Sequence, residues 1–287
     1  MSVAGLQFKQ VDVFTRVPFR GNPVAVVLGA DALDGGEMQR IAAWTNLSET
    51  TFVLPPSSAG ADYRLRIFTP RAELPFAGHP TIGSLHAVLE ARLVTPRNGR
   101  LRQECGAGIL ELSTDGERHW VKSPPASVAS LEQRRRDEVE RTLGAAISGT
   151  PRIVNVGPKW LVADLGDSVT VANLALDMAS VAQLSALLEI TGITVFGAAD
   201  DDGAALHVRS FAPAHGIAED PVCGSGNISV AAYLHAAGLL QRFGSSYEAR
   251  QGMALGRDGR VSIRIEGGEI FLGGNAVTCV EGELRLS

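Results

Sequence analysis

Two short glycine-containing loops carry the residue types from which an active site could be assembled. One is Glu73-Leu-Pro-Phe-Ala-Gly-His-Pro-Thr-Ile82, the other Glu219-Asp-Pro-Val-Cys-Gly-Ser-Gly-Asn-Ile228. Each leads from a strand-like segment into a helix predicted to start near Gly78 in the first and Gly224 in the second. A helix N-terminus presents unpaired backbone N–H groups and about half a positive charge, so anions favour it. Two such ends aimed at one point would suit a carboxylate substrate and a carbanion or enolate formed beside it. A glycine-assisted turn before an ordinary capped helix would look the same in sequence, and both readings stand at this point.

Candidate acids and bases lie nearby. Glu49, in Asn46-Leu-Ser-Glu-Thr-Thr-Phe52, falls where a helix gives way to a strand. Leu47 and Phe52 would partly desolvate it and raise its pKa from about 4.3; the plain alternative is a solvated glutamate at a strand start. His79 would donate to substrate or shuttle a proton, although a helix N-terminus disfavours its charged form; otherwise it bonds to its own turn. Asp220 would hold a substrate amine or orient His79, or simply serve as a turn or capping residue. For Cys223, just before the second helix, a lowered thiol pKa is expected, making it a competent base or nucleophile; the alternative is a small buried hydrophobe. Cys105 and Cys279 sit in strand-like runs and are expected to be structural. His86, His119, His207, His215 and His235 form no metal-ligand spacing, so no metal is expected. Dinucleotide, Walker and Gly-x-Ser-x-Gly patterns do not occur.

These residues need a scaffold, and the hydrophobic pattern supplies one. Strand-like runs span Phe8 to Phe14, Val24 to Leu28, Thr50 to Leu54 and Tyr63 to Phe68, with helical spacing over 37–44 and 81–93. Ile82, Leu85, Val88 and Leu89 mark the second of those helices. The latter half repeats the order: Ile153 to Val156, Trp160 to Leu165, a helix over 181–188 and a strand over 205–211. Arg66-Ile-Phe-Thr-Pro70 aligns with Arg209-Ser-Phe-Ala-Pro213 at an offset of 143, and the two glycine loops align at 146, which also carries Gly106 onto Gly252. A repeat this long predicts two similar lobes: 1–124, to which 277–287 returns, and 125–276, with the boundary near Ser123-Pro124-Pro125. The mixed charges of Glu132 to Arg141 predict a solvated helical face.

Composition narrows the class. With 287 residues, 45% hydrophobic and 20% charged, the chain can bury a large core without disulfides or metals. A net charge of −5 argues against a nucleic-acid or anionic-membrane partner. Three widely spaced cysteines, no signal-peptide pattern at the start and no apolar run long enough for a membrane span predict a reduced, cytoplasmic protein.

Four ordered blocks resemble the signature of the phenazine-biosynthesis PhzF-like proteins. They are Phe14-Thr15 with Phe19-Arg-Gly-Asn-Pro23, Asn46-Leu-Ser-Glu-Thr50, Phe68-Thr-Pro70 with the first glycine loop, and Glu219 to Gly226. The resemblance implies an α+β fold like that of diaminopimelate epimerase, with two pseudo-symmetric lobes, each a sheet wrapped around a central helix, and the active site between them. It also implies cofactor-independent isomerisation by proton transfer on a small carboxylate-bearing substrate, in a homodimer. The family's phenazine enzymes act on trans-2,3-dihydro-3-hydroxyanthranilate. Position by position, Glu49 matches their general acid–base, and His79, Asp220 and Ser225 match their substrate contacts. Gly78, Gly224 and Asn22 complete the substrate-binding set that the resemblance implies. Cys223 matches one catalytic cysteine of diaminopimelate epimerases, whereas the facing position is Ala77, so that enzyme's cysteine pair is incomplete. An amino-acid racemase or epimerase using Cys223 with Glu49, or a non-catalytic small-anion-binding protein, are the alternative readings.

Overall fold

In the computed structural model, which describes residues 5–201 and 203–286, the chain divides into two compact units. One runs up to Lys122 and resumes at Gly273; the other is Ser123–Leu272. The first holds β1 (Gly5–Val13), β2 (Asn22–Leu28), α1 (Gly35–Thr45), β3 (Thr50–Leu54), β4 (Tyr63–Phe68), β5 (Glu73–Leu74), α2 (Gly78–Glu90), β6 (Arg100–Cys105), β7 (Gly108–Thr114) and β8 (His119–Lys122). The second begins with β9 (Ser127–Ser130), α3 (Arg136–Leu143), β10 (Arg152–Asn155), β11 (Lys159–Asp167), α4 (Ser168–Ala172), α5 (Met178–Leu187) and β12 (Gly192–Asp201). It continues through β13 (Ala204–Ala212), β14 (Ile217–Asp220), α6 (Gly224–Ala236), α7 (Leu240–Phe243), β15 (Ser246–Gln251), β16 (Gly259–Glu266) and β17 (Glu269–Gly274). The last strand, β18 (Ala276–Arg285), returns to the first unit and pairs antiparallel with β1.

Both units follow one α+β plan. In the first, antiparallel β1–β2 is joined by α1 to a parallel β2–β3 step, and antiparallel β3–β4 is joined by α2 to a parallel β4–β6 step. In the second, β10–β11 and β12–β13 are antiparallel, while β11–β12 and β13–β15 are parallel steps bridged by α4–α5 and α6. A parallel step requires a crossover, which the helices provide. α6 starts and ends 146 residues after α2, the same spacing that relates the glycine loops.

α2 and α6 are central helices. Ten consecutive or near-consecutive residues of each are buried, among them Ile82, Leu85 and Val88 in α2 and Ile228, Val230 and Leu234 in α6. Hydrophobic periodicity marks only one face of α2, but burial extends around it, because the sheet encloses the helix and small residues fill the remaining positions. Gly83 shows how close the approach is: a Cβ there would lie 2.4 Å from Cγ1 of Val24 on β2.

The charged run at Glu132 to Arg141 is more than a solvated face. Val139 is buried against Leu143, Val181 and Leu184. The Arg136 guanidinium donates to the carbonyls of Ile147 and Gly149, and Glu140 accepts the Ile147 N–H at 3.0 Å. Its charges therefore tie down the following loop.

Candidate active site

In the first unit, local chain chemistry places Glu49. Asp34 and Glu37 form a reciprocal capping box that starts α1. Asn46 ends the helix with φ 55°, a left-handed conformation that asparagine tolerates. The chain then turns through Ser48 and Glu49 into β3, where Glu49 O accepts the Ala25 N–H and the Thr45 and Thr50 hydroxyls meet at 2.6 Å. Both flanks of Glu49 are thus pinned.

Its side chain is 16% exposed, and Oε2 lies 3.4 Å from Nδ1 of buried His79, the second residue of α2. Burial pushes the Glu49 carboxyl from the ordinary carboxylate range up to about 7, against a smaller lowering by the Ser48 hydroxyl. A carboxyl with that pKa exchanges protons readily at neutral pH. Gly78 opens α2, and Ala77 at the preceding cap position offers no side-chain cap. Asn22, at the start of β2, is buried, and the adjoining Gly21 N–H is held by Asp12 Oδ2 at 2.9 Å.

In the second unit the structure gathers Asp220, Cys223, Gly224 and Ser225 around the start of α6. Asp220 Oδ1 accepts the Val222 N–H at 3.0 Å, shaping the turn. Cys223 is the N-terminal cap: its Sγ accepts the Gly226 N–H at 3.3 Å and lies 3.5 Å from Ser225 Oγ. The expected drop in the Cys223 pKa does not occur. Desolvation, reinforced by the charge and hydrogen bond of Asp220, raises the thiol well above its ordinary value despite the hydrogen bonds from Ser225 and Gly226. The buried thiol caps the helix.

Each glycine loop is buttressed in the same manner. Arg66 grips Glu73 through two 2.7 Å hydrogen bonds, and Arg209 grips Glu219 at 2.9 and 2.8 Å. Gly106 faces Pro75, and Gly252 faces Pro221; a Cβ would come within 2.8 Å of Pro75 Cα and 2.4 Å of Pro221 O. Motif alignment singles out these arginines and glycines without revealing what they support. Three supports escape the sequence entirely. Trp160 Nε1 donates to Ser225 Oγ at 3.0 Å, Asn227 Nδ2 donates to Gln251 Oε1 at 2.9 Å, and Gln251 Nε2 donates to the Asp220 carbonyl at 2.9 Å. No local signal links partners 24 to 65 positions apart.

Comparison with known proteins gives the class. The chain belongs to the phenazine biosynthesis-like protein family, PhzC-PhzF, whose model matches residues 11–282. It is 43% identical to the protein named antisense-enhancing sequence 1 of Schizosaccharomyces pombe, over 96% of this chain and 97% of that one. It is 33% identical to the trans-2,3-dihydro-3-hydroxyanthranilate isomerase of Pseudomonas chlororaphis, over 96% of this chain and 98% of that one. The crystal structure of a PhzF-family phenazine biosynthesis protein from Bacillus anthracis superposes with a TM-score of 0.86 at 26% identity, covering 99% of this chain and all of that one. By family it is an isomerase with the epimerase-like two-lobed α+β fold. No helix among the described residues is long and apolar enough to cross a membrane.

Proposed function

We propose that this protein isomerises a small carboxylate-bearing substrate by moving a proton from one carbon to another, with Glu49 as the general acid–base. The observation that carries the reading is the Glu49 carboxyl, pinned at a helix–strand junction, held at about 7 by burial and set 3.4 Å from His79. In its ionised form Glu49 takes a proton from a carbon made acidic by its neighbours. The C–H electron pair moves into a new double bond, and the displaced π pair is protonated at the far carbon by the same carboxyl, now the acid. The substrate gains and loses no electrons overall. His79 and the backbone N–H groups opening α2 would stabilise negative charge while the proton is in transit. Asp220, Gly224, Ser225 and Asn22 are proposed as substrate contacts. The raised Cys223 pKa gives no support to a thiolate-based epimerase.

Incubation of trans-2,3-dihydro-3-hydroxyanthranilate, the substrate named for the Pseudomonas relatives, in deuterated water tests this. Wild type should incorporate deuterium, and Glu49→Gln should lower the rate by about 10²–10⁴-fold. Equal exchange by the two proteins would remove Glu49 from the role.

A further inference from the structure

Trp160 lies on β11 with its side chain buried, and its indole N–H ends on Ser225 Oγ at 3.0 Å. An indole nitrogen only donates, so Ser225 must accept in this contact. The hydroxyl keeps one proton, which is thereby directed away from Trp160. Within the unit, Cys223 Sγ lies 3.5 Å from this hydroxyl. A thiol sulfur is a weak acceptor, and this one already accepts the Gly226 N–H. An ionised carboxylate oxygen is a far stronger acceptor and would displace it. With Trp160 on one of its two lone pairs, the hydroxyl offers one proton and one lone pair; without Trp160 it has two lone pairs with which to accept from an amide N–H₂.

We propose that Trp160 is a positioning residue that biases Ser225 toward donating a hydrogen bond, so that the loop opening α6 gains more from a carboxylate, which only accepts, than from its neutral amide, which also donates. The inference rests on the proposal that Ser225 touches substrate, and it deepens that proposal by naming what sets the preference. It does not depend on Glu49, and its test reads binding rather than proton exchange, so the two can fail separately.

Calorimetric titration of wild type, Trp160→Phe, Ser225→Ala and the double variant with 2-aminobenzoate and 2-aminobenzamide provides the test. Wild type should bind the carboxylate more tightly. Trp160→Phe should weaken 2-aminobenzoate by about 3–10-fold, the range of one net hydrogen bond, and leave 2-aminobenzamide unchanged or tighter. In the Ser225→Ala background the Trp160→Phe effect should vanish, since Trp160 then has no hydroxyl to orient. Turnover of trans-2,3-dihydro-3-hydroxyanthranilate by Trp160→Phe should show a raised KM with kcat retained. Equal weakening of both probes, or a loss that persists without Ser225, would assign Trp160 to packing alone and overturn the proposal, as would wild type with no preference between the probes. If Trp160→Phe does not fold, Ser225→Ala carries the test: it must both shift the Trp160 indole resonance in ¹H–¹⁵N spectra and narrow the preference for the carboxylate, and an unchanged preference overturns the proposal.

Discussion

Glu49 combines an unfavourable burial with a useful pKa, and the same shift makes stability depend on pH. Its carboxyl ionises at about 7 in the native protein against 4.5 for the ordinary group. A raised folded-state pKa means that its contribution to stability is complete below about pH 4.5 and is lost as pH rises through 7. Gln cannot ionise, so Glu49→Gln should gain on wild type by roughly 2–3 kcal/mol between pH 5 and pH 8. Urea unfolding of both proteins at the two pH values measures the change. A constant difference would mean that Glu49 titrates as an exposed carboxylate does. The variant would then join two outcomes, higher stability at pH 8 and lost proton exchange, as expected where a buried carboxyl carries the chemistry at a cost in stability.

At the level of elements, the paired Arg–Glu forks separate geometry from burial. The hydrogen bonds are nearly alike, yet the Arg66 and Glu73 side chains are 22% and 42% exposed while Arg209 and Glu219 are 8% and 9% exposed. Arg209 also donates to the Val171 and Leu174 carbonyls, joining β13 to the segment around α4. Breaking a buried pair strands a charge at a cost of about 3–5 kcal/mol, whereas a solvated pair contributes about 0–1 kcal/mol. Arg209→Met should therefore destabilise the protein strongly and Arg66→Met weakly, as read by denaturant midpoints. Comparable losses would show that burial does not govern the difference. Both arginines stand out in the sequence through the 143-residue spacing. Their unequal environments do not, because exposure depends on which elements pack over each fork.

For the molecule as a whole, the chain's return to its first unit is the main organising feature. β18 pairs with β1 from Ala276 to Arg285. Lys9 on β1, only 2% exposed, bridges Glu90 on α2 at 2.8 Å and Glu281 on β18 at 3.0 Å. Truncation after Leu272 would open the β1 edge and leave a buried lysine with half its partners. Hydrogen exchange should then accelerate in β1, β2 and α2, with protection retained in α6 and β15 of the second unit, whose segment is continuous. Uniform loss of protection, or none, would refute independent stability of the two units.

The sequence by itself determined what is local or periodic. It placed the helix starts at Gly78 and Gly224, the helix–strand junction at Glu49 and the spacing that relates the two glycine loops, because turn chemistry and hydrophobic period act over a few residues. Tertiary structure decided whatever depends on the balance of opposed terms or on distant partners. Cys223 is the clearest case. Hydrogen bonds from Ser225 and Gly226 lower its pKa, burial and Asp220 raise it, and only the packed structure shows that desolvation dominates. Glu49 is the counterpart, since its flanking residues hint at desolvation but only packing against α2 sets its extent. The Trp160–Ser225 bond spans 65 positions, and the sheet wrapped around α6 is what brings its two ends together.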